Sequence, residues 1–296
     1  QSLNMMNGFD GQTVIKATFD EASAVLGQDL WAMINGEHAE TINETVNTQP
    51  LMLAAGIATY RAYLEAGGKE PSVMAGHSLG EYTALVVAGS LSFVDALKLV
   101  RLRAELMQSA VPQGTGSMAA ILGLDDDAVR AVCAEAAQGE VVEAVNFNSP
   151  GQVVIAGSIA AVERAIETAK AKGAKRALPL PVSVPSHCLL MKPAAEKLAE
   201  ALKAVDIQPP KIPVIHNADV ASYNNAEQIK DALVRQLYSP VRWTETVNAL
   251  VAQGIIQSAE CGPGKVLAGL AKRINKEASC SALTNTEQVS AFIAAH

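Results

Sequence analysis

The chain has 296 residues, of which 49% are hydrophobic and 18% are charged, the composition of an ordinary globular protein. Its formal net charge of -7 argues against general nucleic-acid binding, because contact with a phosphate backbone requires an excess of basic residues. The longest apolar stretches, such as residues 84–88, are far shorter than the roughly 18 residues of a membrane span, so we expect no membrane association.

The cysteines are widely spaced and form no CxxC pair, which favours reduced thiols over a metal site. They are Cys133, Cys188, Cys261 and Cys280. No basic and apolar leader precedes the first helical pattern, so we expect no secretion signal. Both observations predict a cytoplasmic protein.

The first chemical motif follows a short strand. Residues 73–75 have the pattern of a buried strand, and Gly76-His77-Ser78-Leu79-Gly80 then matches G-x-S-x-G and leads into a helical run over 81–88. In this context the glycines allow a sharp turn that exposes the Ser78 hydroxyl at a helix start, where an oxyanion is stabilised. The alternative, which we weight less, is a plain glycine turn with a capping serine.

The next predicted helix spans residues 92–110 and carries one charge on its apolar face. Arg103 lies among apolar side chains on that face, whereas Arg101 and Glu105 lie on the outer face at the spacing of a surface ion pair. A buried guanidinium requires a partner, and its planar fork suits a carboxylate held at two points. From the residues alone, a structural salt bridge and a substrate clamp are equally plausible for Arg103.

The pattern changes near residue 118. The elements predicted there are a strand over 118–124, a helix over 126–137, strands over 141–147 and 153–157 joined by a turn at 148–151, a helix from the cap Ser158 to Gly173, and a strand over 177–180. This βαββαβ order predicts a ferredoxin-like α+β subdomain over 115–183. Pro179, Pro181 and Pro185 then exclude regular structure.

The α/β pattern resumes with strands at 214–215 and 255–259. We therefore predict an α/β protein whose large catalytic domain, residues 1–114 and 184–296, has a mainly parallel sheet flanked by helices, a hydrolase-like core. The 115–183 subdomain is inserted in it.

A serine nucleophile needs a base, and two of the five histidines are candidates. His38, His77 and His296 are set aside, since His38 lies in a polar segment, His77 should point away from its neighbour Ser78, and His296 ends the chain. His187 lies in an irregular loop ahead of a helix, a typical place for binding residues. His216 ends a strand and is equally compatible with a packing role. The loop context favours His187, with His216 as the alternative.

These segments are shared with a known family. They are Thr48-Gln49-Pro50, Gly76-His77-Ser78-Leu79-Gly80-Glu81-Tyr82, the Arg103 helix, Asn146-Phe147-Asn148-Ser149-Pro150-Gly151-Gln152, Pro185-Ser186-His187, Gln236-Leu237-Tyr238 and Gly262-Pro263-Gly264. Over nearly its whole length the chain resembles the malonyl-CoA:acyl carrier protein transacylases of bacterial fatty acid synthesis.

The resemblance implies that Ser78 carries the acyl group, that His187 is its base, and that Arg103 clamps the malonyl carboxylate. It also implies that the backbone carbonyl of Gln236 orients His187 in place of a triad carboxylate, and that the Leu79 amide contributes to an oxyanion hole. The other residues implied to bind substrate are Gln49, His77, Met107, Asn148 and Ser186.

The implied reaction is a ping-pong transfer from malonyl-CoA, through a malonyl-serine ester, to the phosphopantetheine thiol of acyl carrier protein. We expect no metal and no cofactor other than these thioester groups, because the thiol leaves readily and charge develops on one oxygen. A basic run could receive the acidic carrier protein, although a merely solvated face is equally plausible. It consists of Lys170, Lys172, Lys175 and Arg176.

Two other functions remain open at this point. A serine hydrolase would share the Ser78 turn but deliver the acyl group to water, and the inward Arg103 argues against a lipase. A non-catalytic subunit that docks a carrier protein would keep the fold without turnover, which an intact Ser78 and His187 make improbable.

The family begins with a strand and a glycine-glutamine loop that supplies a second oxyanion-hole amide. Gln1-Ser2-Leu3 corresponds to the residues just after that loop. Loss of one such donor typically lowers turnover by ~10²–10³. We therefore expect the protein to carry that segment ahead of Gln1.

Overall fold

The computed structural model describes residues 1–296, which form a mixed α/β fold. The helices are α1 (Thr13–Leu26), α2 (Leu30–Ile34), α3 (Ala39–Asn43), α4 (Thr45–Glu65), α5 (Gly80–Val87), α6 (Phe93–Ser109), α7 (Asp126–Ala137), α8 (Ile159–Ala171), α9 (Lys192–Leu202), α10 (Ala226–Gln236), α11 (Trp243–Ala252), α12 (Val266–Ile274) and α13 (Thr286–Ala295). The strands are β1 (Met74–Ala75), β2 (Gly116–Leu122), β3 (Val142–Ser149), β4 (Gln152–Ser158), β5 (Arg176–Pro179), β6 (Val214–Ile215), β7 (Gln257–Cys261) and β8 (Ser279–Leu283). No helix is both long enough and apolar enough to cross a membrane.

The segment from β2 to β5 folds as a four-stranded antiparallel sheet in the order β3-β4-β2-β5. Helices α7 and α8 pack on one face of it, and a core of 17 buried hydrophobic residues fills the space between. The predicted succession of strands and helices is confirmed, with strand boundaries that differ by one or two residues.

Two details of this segment differ from the sequence predictions. Pro179 was expected both to lie in the strand over 177–180 and to exclude regular structure; it pairs with Ala119 as the last residue of β5, so the strand is confirmed and the breaking effect of Pro179 is not. Because β5 is an edge strand, a missing N–H is tolerated there. Ser158 is the residue before α8, but its hydroxyl donates to Glu140 Oε2 at 3.0 Å and makes no cap hydrogen bond.

The rest of the chain contains two short parallel ladders. Strand β1 pairs with β6, and β7 pairs with β8, each pair in parallel. The parallel direction agrees with the prediction, but the strands form two separate pairs where one sheet was expected. Each strand of the first pair is only two residues long. The chain leaves the ladder after Ala75, where the turn that carries Ser78 begins, and after Ile215, just before His216.

The largest hydrophobic core lies among the helices around these ladders. It contains 40 buried residues, drawn mainly from α1, α4, α5, α6, α9 and α10. Helix α6 begins after Ser92, whose hydroxyl caps it by accepting from the Asp95 amide at 3.1 Å. The predicted Arg101–Glu105 pair is wrong: Arg101 Nη2 instead donates to Gln28 Oε1 at 2.5 Å. Helix α1 packs against α6, and Gln28, which follows α1, is the partner that Arg101 finds there.

Candidate active site

Ser78 lies on a sharp turn between β1 and α5. Its φ of 54° is in the left-handed region, which is costly for a residue with a side chain. Gly76 makes the turn possible, because a Cβ at that position would lie 2.0 Å from the backbone C and O of Gly80. Gly80 differs, since a Cβ there would meet nothing within 4 Å. Of the two glycines of G-x-S-x-G, only Gly76 is therefore required on steric grounds.

The imidazole of His187 faces the Ser78 hydroxyl. Its Nε2 lies 2.8 Å from Ser78 Oγ, and its Nδ1 lies 2.7 Å from the carbonyl oxygen of Gln236. A carbonyl only accepts, so Nδ1 carries the hydrogen and Nε2 is free to receive the serine proton. Burial, and then the charge of Arg103, lower the pKa of His187 to about 3. The ring is therefore neutral at pH 7.

His216, the alternative base, lies elsewhere beneath the turn. It is buried, with Nδ1 3.2 Å from Oε2 of the equally buried Glu81 but out of line for a hydrogen bond. Its ring stacks on Tyr223 with the centroids 5.5 Å apart. The packing role considered for His216 is the one that fits this position.

Arg103 is buried on the inner face of α6, and its side chain is 1% exposed. Its Nη1 donates to Gln49 Oε1 at 2.8 Å, while its Nη2 donates to Ser78 Oγ at 3.1 Å and to Gln236 Oε1 at 3.0 Å. No carboxylate lies within 4 Å, and Nε has no hydrogen-bond partner. Burial lowers the pKa of the guanidinium, an effect opposed by Tyr82 and Glu81. The structural salt bridge considered for Arg103 is absent.

The remaining predicted residues fall into three places. Gln49 and Met107 adjoin Arg103, with Gln49 Nε2 3.6 Å from Met107 Sδ. His77 points to the other side, where its Nε2 lies 2.8 Å from Asn148 Oδ1 and its ring lies 5.6 Å from that of Trp243. Burial lowers the pKa of His77.

The other two residues are chain neighbours of the central pair. The Leu79 amide, at the start of α5, donates to no group of the chain. Ser186 precedes His187, and its hydroxyl makes only a long 3.5 Å contact with the Val184 carbonyl. The structure therefore brings together Ser78, His187, Gln236, Arg103, Gln49 and Met107, with the His77–Asn148 pair beside them.

Comparison with known proteins gives a consistent result. Residues 10–285 match the acyl transferase domain family. The chain is 56% identical over 280 residues to the malonyl CoA-acyl carrier protein transacylase of Escherichia coli K12, covering 95% of this chain and 91% of the relative. It is 47% identical over 275 residues to that of Bacillus subtilis, covering 93% and 86%. The chain belongs to the malonyl CoA-acyl carrier protein transacylase family.

Solved structures agree with this membership, and the family expected from the sequence is confirmed. The acyl-carrier-protein S-malonyltransferase of Burkholderia pseudomallei superposes with a TM-score of 0.98 at 56% identity, covering 99% of this chain and 96% of that one. A malonyl-transacylase solved in complex with a type II polyketide acyl carrier protein superposes with a TM-score of 0.98 at 54% identity, covering 100% and 96%. This chain is therefore an acyltransferase.

One buried residue beneath the turn was not predicted from the sequence. Asn217 is fully buried, and its side chain contacts Gly76, Ser78 and Gln236. A signal for it existed, because Asn217 follows β6 by two residues and the carboxyl ends of parallel strands meet at one edge. The described residues contain no group of three or more His, Cys, Asp or Glu side chains arranged to hold a metal ion.

Proposed function

We propose that this transacylase moves a malonyl group from malonyl-CoA to the phosphopantetheine thiol of acyl carrier protein, through a malonyl ester on Ser78, and so supplies malonyl-carrier protein for fatty acid biosynthesis. The proposal rests on the Ser78 hydroxyl, which contacts both His187 and Arg103. Ser78 Oγ lies 2.8 Å from His187 Nε2 and 3.1 Å from Arg103 Nη2, so a nucleophile, a base and a carboxylate-binding fork converge on one point.

In the first step, His187 Nε2 takes the proton of the Ser78 hydroxyl while Oγ attacks the thioester carbon. General base assistance of this kind contributes ~10²–10⁴ in rate. The resulting oxyanion is stabilised by the Leu79 amide, whose N–H is unoccupied and lies at the start of α5. The C–S bond then breaks, and the coenzyme A thiolate takes the proton back from His187 and leaves as the thiol.

Arg103 selects the acyl group by binding its free carboxylate. One methylene separates the thioester carbon from the carboxylate carbon of malonyl, a distance of about 2.5 Å. Because Arg103 contacts Ser78 directly, its guanidinium can form two hydrogen bonds with a carboxylate that lies this close to the carbon bonded to Ser78 Oγ. The neutral amides of Gln49 and Gln236 accept from the guanidinium, so a substrate carboxylate would supply the counter-charge that no side chain supplies. Met107, His77, Asn148 and Ser186 are proposed to line the rest of the acyl and pantetheine path.

In the second step the carrier protein's thiol takes the place of coenzyme A. Its proton passes to His187 as the sulfur attacks the ester carbon, and Ser78 Oγ regains a proton as it leaves. The proposed reaction uses groups of the chain, the thioester of malonyl-CoA and the thiol of the carrier protein. With free cysteines throughout, the cytoplasmic location expected from the sequence stands as part of the same proposal.

The carrier protein requires a basic docking surface, and the predicted run at 170–176 is one candidate. Lys170 and Lys172 lie near Glu167 and Glu135, at 3.5 and 2.8 Å, while Lys175 and Arg176 form no ion pair. Half of this run is therefore available to an acidic partner.

Helix α12 and the residues flanking it offer a second candidate surface. Lys265, Lys272, Arg273 and Lys276 form no ion pair within the chain. Leu270 of the same helix shares a small core with Trp243, whose ring lies 5.6 Å from His77. Two charge-reversal variants compare these surfaces. In one, Lys175 and Arg176 are changed to Glu, and in the other Lys272 and Arg273 are changed to Glu. The variant with the higher KM for carrier protein identifies the docking site.

Residues 115–183 are proposed to be a ferredoxin-like subdomain inserted in a hydrolase-like domain formed by 1–114 and 184–296. The strand order β3-β4-β2-β5 and the separate core of the insert support it. Limited proteolysis tests the boundaries, since first cuts within 126–171 would contradict them.

Mass spectrometry of the intact enzyme mixed with malonyl-CoA tests the reaction. We expect a malonyl adduct on Ser78 that disappears on addition of carrier protein and is absent from Ser78→Ala. Rapid release of free malonate without an adduct would support the hydrolase instead. Full biological activity of Ser78→Ala would support the docking subunit.

A further inference from the structure

The side chain of Asn217 fills the space under the Ser78 turn. It lies just beyond β6, is fully buried, and donates from Nδ2 to the Gly76 carbonyl at 2.8 Å. Its Oδ1 accepts from the Ser78 amide, also at 2.8 Å. Its own backbone N–H donates to Glu81 Oε1 at 2.6 Å, which ties it to α5. One carboxamide thus contacts both sides of the turn.

The turn needs such a partner. With φ at 54°, Ser78 is held in a conformation that L-residues avoid, and the surroundings must maintain it. The Gly76 carbonyl and the Ser78 N–H lie within the turn, between the end of β1 and the first residue of α5. A buried backbone group without a partner is destabilising, so the Asn217 amide substitutes for the missing peptide group.

The same contact reaches the reacting atoms through one more residue. Gln236 Nε2 donates to the Ser78 carbonyl at 2.9 Å and lies 3.3 Å from Asn217 Oδ1. The Gln236 carbonyl accepts from His187 Nδ1. Asn217 and Gln236 therefore hold the N–H and the C=O of Ser78, and Gln236 also holds the base.

From this arrangement we infer that Asn217 is a positioning residue for acyl transfer, which keeps Ser78 Oγ aimed at His187 Nε2. It touches no reacting atom and acts through the backbone of Ser78. The inference rests on the proposed role of Ser78 as the acyl carrier. Because it concerns the direction of the hydroxyl and not substrate affinity, it predicts a loss in kcat with little change in KM.

The experiment compares Asn217→Ala with the parent enzyme. Steady-state transfer from malonyl-CoA to carrier protein gives kcat and KM, and a fluorophosphonate probe gives the labelling rate of Ser78. We expect kcat and the labelling rate to fall together by ~10²-fold, the usual cost of misplacing a reacting group by about 1 Å, with KM for malonyl-CoA nearly unchanged. Thr59→Val is the matched control, since Thr59 is equally buried and its hydroxyl bonds only to the Ala55 carbonyl.

Asn217→Asp provides a second readout if the alanine variant folds poorly. The carboxylate keeps the acceptor for Ser78 N–H but cannot donate to the Gly76 carbonyl, whereas the protonated carboxyl can. A buried carboxyl has a raised pKa, so activity relative to the parent should recover as pH is lowered. Protonation would also restore stability, so the recovery is measured as kcat per titrated active site, which a merely structural role would not change.

Three outcomes would overturn the inference: an unchanged kcat in folded Asn217→Ala, a lower kcat with normal Ser78 labelling, or no recovery of Asn217→Asp at lower pH. Failure of the proposed function looks different. It would appear in the parent enzyme, as a Ser78 that reacts with the fluorophosphonate but never carries malonyl.

Discussion

The insert and the region around the Ser78 turn are both buried, but they are built from different residues. The insert core consists of 17 hydrophobic residues and has no charged member. Beneath the turn, by contrast, Glu81, Arg103, His187, Asn217 and Gln236 are all buried. Burial of apolar area stabilises the insert, whereas the stability of the turn region depends on hydrogen bonds to its buried polar groups.

The two regions also differ in how far apart their partners lie along the chain. The sheet of the insert closes within residues 116–179. The hydrogen bonds of the turn join Ser78 to His187, Asn217 and Gln236, at separations of 109, 139 and 158 residues. Among non-glycine residues, the insert has a positive φ once, at Gln138 where α7 ends, whereas the second region has it at both Ser78 and His187, with φ of 54° and 67°, whose side chains meet. The insert supplies regular structure, and the chemistry lies where local preferences are broken.

The largest expected effect is the loss of stability caused by a side chain at Gly76, where the turn leaves no space for one. In Gly76→Ala the new Cβ would lie 2.0 Å from the backbone C and O of Gly80, so the turn cannot close as it does now. We expect destabilisation of about 4 kcal/mol or more and loss of Ser78 labelling by a fluorophosphonate. Denaturant unfolding and labelling measure the two effects.

Gly80→Ala is the control, because its Cβ meets nothing within 4 Å and its backbone is helical. Its stability should change by less than about 1 kcal/mol. Equal destabilisation by the two alanines would contradict the steric argument.

The next largest effect concerns the buried guanidinium. In Arg103→Ala the malonyl carboxylate loses a charge-assisted two-point contact, so kcat/KM for malonyl-CoA should fall ~10–10²-fold or more, while acetyl-CoA is affected much less. Competition between the two thioesters, read as adducts on Ser78, measures the selectivity. Arg101→Ala, two residues away on α6 and bonded to Gln28, should leave selectivity unchanged. Unaltered selectivity in Arg103→Ala would remove the clamp from the mechanism.

A change in the insert should behave in the opposite way. Ile155 is fully buried in the middle of β4, paired with Ala119 and Ala144. Ile155→Ala should destabilise the enzyme by about 2–5 kcal/mol through the cavity that it leaves. The kcat per labelled active site should nevertheless match the parent, as active-site titration can measure. A loss of kcat in fully folded protein would mean that the insert and the turn are more tightly coupled than their separate cores suggest.

The same difference explains which parts were predictable from the sequence. The insert was predicted element by element, because period-two strands and capped helices are local patterns. Ser78, His187 and Arg103 were found through a motif, a loop context and a single inward charge. The structure confirms that these three side chains meet.

Other features depended on partners far along the chain. The place of Asn217 after β6 puts it at the sheet edge but does not indicate that its side chain bonds to Ser78. Nothing near Gln236 indicates that its side chain contacts both Arg103 and Ser78. Pro179 was misjudged because its tolerance depends on β5 being an edge strand, which is a property of the whole sheet.

The smallest effect is a shift in pH dependence, and it tests the electrostatics of the turn region alone. Burial first, and the Arg103 charge second, lower the pKa of His187 to about 3, while the hydrogen bond to the Gln236 carbonyl opposes them. The base form exists above that pKa, so His187 should cause no loss of kcat/KM between about pH 5 and 8. Arg103→Met removes the second cause, so the pKa of His187 should rise and the acid limb should move to higher pH.

Bound malonyl should act in the same direction, because its carboxylate offsets the Arg103 charge. The acid limb of kcat is therefore expected at higher pH than that of kcat/KM in the parent enzyme. Profiles for the parent, Arg103→Met and the control Arg101→Met check both shifts, within the pH range where each remains folded. If all three acid limbs coincide, the Arg103 charge does not act on His187, and burial alone accounts for its neutrality.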